Sequence, residues 1–211
     1  GDWSSDVCSS DLQGVLKAAK AKNSYVMIQA SMSAVKYAGP HTLVEMVKAA
    51  SDEIGVDVAL HLDHGPNMDA IKTCIDAGFS SVMIDGSHFD FEENVRITKE
   101  AVEYAHSKGV VVEAELGVLA GTEDDVTSDV HKYTQPAEAV EFVERTGVDS
   151  LAIAIGTSHG AFKFKGEAKL RFDILEEIQS KLPGFPIVLH GASAVDQNAV
   201  ATCNEDRKSV V

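Results

Sequence analysis

Three observations predict a parallel α/β domain. Short β-rich apolar runs alternate along the chain with longer stretches of helical periodicity. The short runs, such as Val58-Ala59-Leu60 and Val82-Met83-Ile84, are continuously apolar rather than alternating, the pattern of strands covered on both faces. The helical stretches carry start and stop residues, and no long linker separates one unit from the next.

Taken in order, the expected strands are Tyr25–Gln29, Val58–Leu62, Ser81–Ile84, Val110–Ala114, Ser150–Ile155 and Pro186–Leu189. Gly55 closes one helix, and Asn67 and Gly78 bracket the next. The stretch DFEENVRITKEAVEYAHSKG starts on Asp90 as N-cap, with Glu93 three residues on as a capping box, and stops at Gly109. Its apolar residues Phe91, Val95, Val102 and Ala105 keep helical spacing. A further helix starts at Thr134 and Pro136 and stops at Gly147. No Gly-rich phosphate fingerprint follows the first strand, which counts against a dinucleotide fold. Six strands stand where a closed barrel needs eight, so the expected architecture is a TIM (β/α)8 barrel, truncated, with its first and last strands missing.

The chain has 211 residues, enough for one sizeable core, with 45% apolar and 24% charged residues. A formal charge of −15 argues against nucleic acid and anionic membranes as partners. No apolar run reaches the roughly 18 residues of a membrane span, and Cys8, Cys74 and Cys203 lack paired spacing, so the expected location is a reducing cytoplasm. The two ends depart from the rest. Residues 1–12, GDWSSDVCSSDL, are Ser- and Asp-rich and aperiodic, and DRKSVV, residues 206–211, also breaks the pattern. Asp2–Leu12 resembles one translated frame of a common short-read sequencing adapter, and Asp206–Val211 resembles the frame of its partner. Both ends are therefore expected to be non-native tails around a partial barrel domain, residues 13–205.

Each of five consecutive strands ends in acid–base or metal-ligating groups: Asp63 and His64, Asp85, Glu113 and Glu115, His159, and His190. In a (β/α)8 barrel the carboxyl ends of the strands form the active-site rim. Singly, each residue has a plain structural reading as a turn cap, a bonded imidazole or a buried ion pair. Five strands sharing the pattern point instead to a site. Three histidines on one rim suit Zn2+, which takes imidazole and leaves a position open. Asp85 and Glu115 would serve a second site or orient the imidazoles.

The blocks HLDHG, SVMIDGSH, VEAELG, GTSHGAFKFKG and VLHGAS together resemble the signature of the class II, zinc-dependent fructose-bisphosphate aldolases. The resemblance covers nearly all of residues 13–205. It implies zinc ligands at His64, His159 and His190, an acid–base aspartate at Asp63, and a second divalent metal position at Asp85 and Glu115. It also implies that the acidic loop Gly121-Thr122-Glu123-Asp124-Asp125 corresponds to the family's mobile loop, with Glu123 as the second acid–base group. Substrate phosphate would sit on backbone N–H groups at Gly160, Gly191 and Ser193, with Lys163 adding charge. The implied reaction is reversible cleavage of fructose 1,6-bisphosphate, a sugar bisphosphate, by a homodimeric enzyme. Ala194 stands where many relatives carry Gly, and the family's Asn- and Asp-bearing stretch after the last strand is absent, so the fragment as written is expected to be unstable and inactive. The alternatives are a tagatose-bisphosphate aldolase, a zinc hydrolase, whose paired His-x-His the spacing of His61 and His64 does not match, and a non-catalytic metal- or sugar-phosphate-binding remnant.

Overall fold

In a computed structural model of the chain, residues 9–118, 120–123, 126–128, 132–159, 170–191, 195–196, 198 and 209–210 are described. The chain divides into two compact units: Gly1–Ile84 with Glu103–Val112, and Asp85–Val102 with Glu113–Val211. Both are α/β arrangements built on parallel strands, and the second also holds an antiparallel hairpin.

The first unit begins with α1 (Ser9–Lys22), β1 (Val26–Ser31), α2 (Met32–Ala38) and α3 (Pro40–Ile54). It continues through β2 (Val58–Gly65), α4 (Met68–Ala77) and β3 (Ser81–Ile84). β1 pairs in parallel with β2 from Val26↔Val58 to Ser31↔Asp63, and β2 pairs in parallel with β3. The stripe Leu43, Val47, Ala50 and Ile54 buries one face of α3, and Gly55, left-handed at φ 73°, closes it. From α1, Lys20 Nζ donates to the carbonyl of Ile54, answering an end carbonyl that the helix leaves without an internal partner. Asn67 caps α4 by accepting from Ala70 N at 3.0 Å, and Gly78 N returns to Cys74 and Ile75 at its other end. Every residue of β3 is buried, as its unbroken apolar run requires. Leu12, Leu16 and Ala19 of α1 are buried too, so helical packing begins within the stretch expected as a tail.

The helix α5 (Phe91–Ser107) crosses the division, as does β4 (Val111–Leu116), whose residues from Glu113 onward belong to the second unit. There follow β5 (Ala120–Glu123), β6 (Val126–Ser128), α6 (Pro136–Thr146), β7 (Ser150–Ile153) and β8 (Ser158–His159), then α7 (Phe172–Lys181), β9 (Ile187–Leu189) and β10 (Ser209–Val210). β4 pairs in parallel with β7, β7 with β9, and β9 with β10. Asp90 caps α5 as expected, its Oδ1 accepting from Glu93 N at 2.9 Å.

Two expectations change. The helix α6 starts at Pro136 with no side-chain cap, because Thr134 is engaged elsewhere. Its hydroxyl donates to the carbonyl of Leu116 at the end of β4 and accepts from Ala154 N, just past β7, at 2.8 Å. The Thr134 N–H donates to the Ala154 carbonyl at 3.0 Å, so this one residue clasps both strand ends. Secondly, the acidic segment expected as a loop contains a hairpin: β5 pairs antiparallel with β6, from Gly121↔Ser128 to Glu123↔Val126, and in parallel with β8. Backbone pairing decides this, and acidic side chains on a hairpin do not prevent it. Asp124 and Asp125 lie outside the described residues.

Candidate functional site

In the first unit the candidate residues stand at the end of β2. The register of β2 against β3 shifts between Leu62 and Gly65, a bulge that re-aims the strand end. His64 occupies that irregularity at φ 45°, a left-handed conformation that a residue with a Cβ adopts at a cost of about 1–3 kcal/mol. Gly65 makes the turn sterically workable, since a Cβ there would lie 2.5 Å from the Met83 carbonyl oxygen and 2.9 Å from Leu62 Cδ2. The strained backbone brings His64 Nε2 to 4.0 Å from Asp63 Oδ1, with both side chains largely covered. Asp63 Oδ1 is buried and accepts no hydrogen bond. A carboxylate oxygen left that way costs free energy unless a proton, a cation or a substrate answers it. On the neighbouring positions, His61 Nδ1 and Ser81 Oγ lie 2.7 Å apart, and Gln29, in register with His61, holds its Nε2 buried without a partner.

The second unit carries the remaining candidates at the same ends of its strands. Asp85, the residue after β3, is buried, and its Oδ1 accepts from Ser87 N at 3.0 Å and from Ser87 Oγ at 2.7 Å. Those two bonds fix the carboxylate in place. Glu115, also buried, lies on β4, and Asn94 Nδ2 of α5 donates to its carbonyl at 2.9 Å. Thr98 Oγ1 in turn donates to Asn94 Oδ1 at 3.2 Å, so the buried amide is locked by its own helix. His190 follows β9 directly and is buried, with Nε2 2.8 Å from Glu113 Oε1. Gly191 beyond it takes φ 68°, where a side chain would be strained.

Of the predicted residues, Asp63 and His64 come together, while His190 meets Glu113, a strand-end carboxylate for which the sequence offered a buried ion pair but no catalytic or ligand role. The available signal was the spacing by two between Glu113 and Glu115, which puts both on one face of β4. His159 ends β8 and Glu123 ends β5, so their backbones sit at strand ends, but their side chains lie outside the described residues. Gly160, Lys163 and Ser193 also lie outside the described residues. Among the described residues no helix is long and apolar enough to cross a membrane.

A sequence profile of class II fructose-bisphosphate aldolase matches residues 7–207. The fructose-bisphosphate aldolase of Treponema pallidum is 49% identical over 203 residues, which cover 87% of this chain and 61% of that protein. That of Giardia intestinalis is also 49% identical, over 92% of this chain and 60% of its own length. In structure, the YdjI aldolase of Escherichia coli K12 superposes with a TM-score of 0.82 at 36% identity, covering 98% of this chain and 72% of that one. The chain thus spans about three fifths of the length of the named relatives it matches. With a family profile matching nearly its whole length and relatives close to half identical, the chain belongs to the class II fructose-bisphosphate aldolase family.

Proposed function

We propose that the protein to which this chain contributes cleaves fructose 1,6-bisphosphate reversibly into dihydroxyacetone phosphate and glyceraldehyde 3-phosphate. The observation that carries the reading is the end of β2, where strained His64 and the unanswered Asp63 Oδ1 stand side by side. The donor chemistry fits zinc: imidazole nitrogens at His64, His159 and His190, with carboxylates at Asp85 and Glu115 for a second divalent position. When bound, zinc supplies Lewis-acid dispersal of the negative charge that develops beside the ketone as the carbon–carbon bond breaks.

The chain's own groups would do the rest. Asp63 takes the proton of the C4 hydroxyl while the C3–C4 bond breaks, and C4 leaves as the aldehyde. Glu123 returns a proton to C3 of the dihydroxyacetone phosphate half. Backbone N–H groups at Gly160, Gly191 and Ser193 hold a phosphate, with Lys163 beside them, in a protein whose overall charge otherwise repels anions. A complete (β/α)8 barrel, a homodimer and a cytoplasmic location belong to the same proposal. The tagatose alternative is not favoured, since the relatives from Treponema pallidum, Giardia intestinalis, Geobacillus stearothermophilus and Helicobacter pylori, at 48–50% identity, are named fructose-bisphosphate aldolases.

The test is cleavage of fructose and tagatose bisphosphates by the full-length protein, before and after chelation and with zinc restored. Turnover of the fructose isomer that disappears on chelation, returns with zinc, and falls by orders of magnitude in Asp63→Ala supports the reading. Chelator-resistant turnover, or preference for the tagatose isomer, overturns it. The 211-residue chain alone is expected to show no turnover.

A further inference from the structure

Glu113 stands in the strand-end pattern and in the VEAELG block, but neither gives it a catalytic or metal-binding role of its own. It is 4% exposed on β4, and its carboxylate reaches His190, 77 residues later in the chain, at 2.8 Å. The partners are equally enclosed, with side-chain exposures of 4% and 5%. β7 runs between their strands, with Glu113 in register with Ser150 on one side and Leu151 with Ile187 on the other. Glu113 therefore spans a neighbouring strand to reach this one ring nitrogen.

The chemistry gives that contact a direction. A carboxylate oxygen accepts from an imidazole N–H, so with Glu113 as the acceptor of this contact the ring carries its proton on Nε2. A neutral ring protonated there has its lone pair on Nδ1, and only a lone pair binds a metal. We propose that Glu113 is a positioning residue: by accepting from Nε2–H it holds His190 in one tautomer and one ring orientation, and so assigns metal ligation to Nδ1. The alternative is a structural ion pair in which the ring carries protons on both nitrogens and offers no lone pair. Carboxylate support of a ligating imidazole fixes the ring and raises its basicity, and losing such a partner typically costs about 10- to 100-fold in metal affinity. The assignment to metal rests on the zinc reading above; the assignment of the tautomer does not.

Two measurements on the full-length protein test this. Long-range proton–nitrogen correlation spectra of the imidazole rings, at mildly alkaline pH without metal, read the tautomer, with His190→Asn identifying the ring. A proton on Nε2 and a bare Nδ1 are expected; a proton on Nδ1, or on both nitrogens, overturns the proposal. Zinc affinity by competition with a chromophoric chelator is expected to fall about 10- to 100-fold in Glu113→Ala. Glu113→Gln, whose amide oxygen can still accept from Nε2–H, is expected to lose less and to keep the tautomer. Equal losses in the two variants, or none in either, overturn the proposal. If Glu113→Ala does not fold, the wild-type spectrum and the Gln variant decide. Absence of saturable zinc binding by the wild type would sink the metal reading, while the tautomer and its response to Glu113→Gln still judge the role of Glu113.

Discussion

Replacing Thr134 with valine removes a hydroxyl while keeping shape and volume. That hydroxyl, on a residue 1% exposed, donates to the Leu116 carbonyl and accepts from Ala154 N at 2.8 Å. Thr134→Val leaves one buried acceptor and one buried donor without it, and puts a methyl group against both. An unsatisfied buried polar group costs about 1–3 kcal/mol, so the pair costs about 3–4 kcal/mol, with the carbonyl at the low end because it has a second lone pair. For a chain of this size that corresponds to a fall of about 6–16 °C in Tm, at about 2–4 °C per kcal/mol. Thr134→Ser, which keeps the hydroxyl and loses a methyl, is expected to cost only about 1 kcal/mol. The assay is urea unfolding followed by circular dichroism, comparing midpoints at unchanged slope. A valine variant within about 0.5 kcal/mol of wild type, the range of an ordinary surface substitution, would refute the reasoning. So would a serine variant as damaging as valine.

Three further outcomes follow from local geometry. Gly65→Ala is expected to destabilise by about 1–3 kcal/mol, because its Cβ would meet the Met83 carbonyl oxygen at 2.5 Å and backbone cannot swing aside; denaturant unfolding reads the loss. Burial pushes the Cys74 thiol up to about 12, so it should resist disulfide reagents in the native chain at mildly alkaline pH and react once urea is added; fast native labelling would contradict the packing of α4. The hydrogen bonds from Arg145 to Glu92, at 2.6 and 2.8 Å, hold the Glu92 carboxyl below its usual range. A depressed carboxyl contributes stability that is present above its unfolded pKa and lost as pH falls through the folded one. Wild type should therefore lose more stability on acidification below the ordinary glutamate range than Arg145→Ala does, and parallel pH profiles would contradict the pairing.

The order of elements was legible in the sequence because strand and helix signals are local. Ser81–Ile84 reads as a buried strand from four consecutive residues, and Asn67 and Gly78 mark the helix between them by their own conformational preferences. The placement of Asp63, His64, Asp85, Glu115 and His190 at strand carboxyl ends was legible for the same reason: it follows from where each apolar run stops. Three features depend on groups distant in the chain, which local signals do not identify. Thr134 reads as a helix cap, yet its hydroxyl is drawn to strand ends 18 and 20 residues away, where the buried carbonyl and N–H need it more than the first turn of α6 does. The acidic segment reads as a solvated loop, yet β5 finds partners in β6 and β8, because pairing satisfies the backbone whatever the side chains are. Glu113 reads as a strand carboxylate and no more until the fold brings His190 within hydrogen-bond reach. By itself the sequence determined which segments form strands and helices and where the reactive residues fall along them, since those depend on periodicity and capping over a few residues. Tertiary structure alone decided the partner of each buried polar group, because that choice is made only when strands far apart in the chain lie side by side and water is gone.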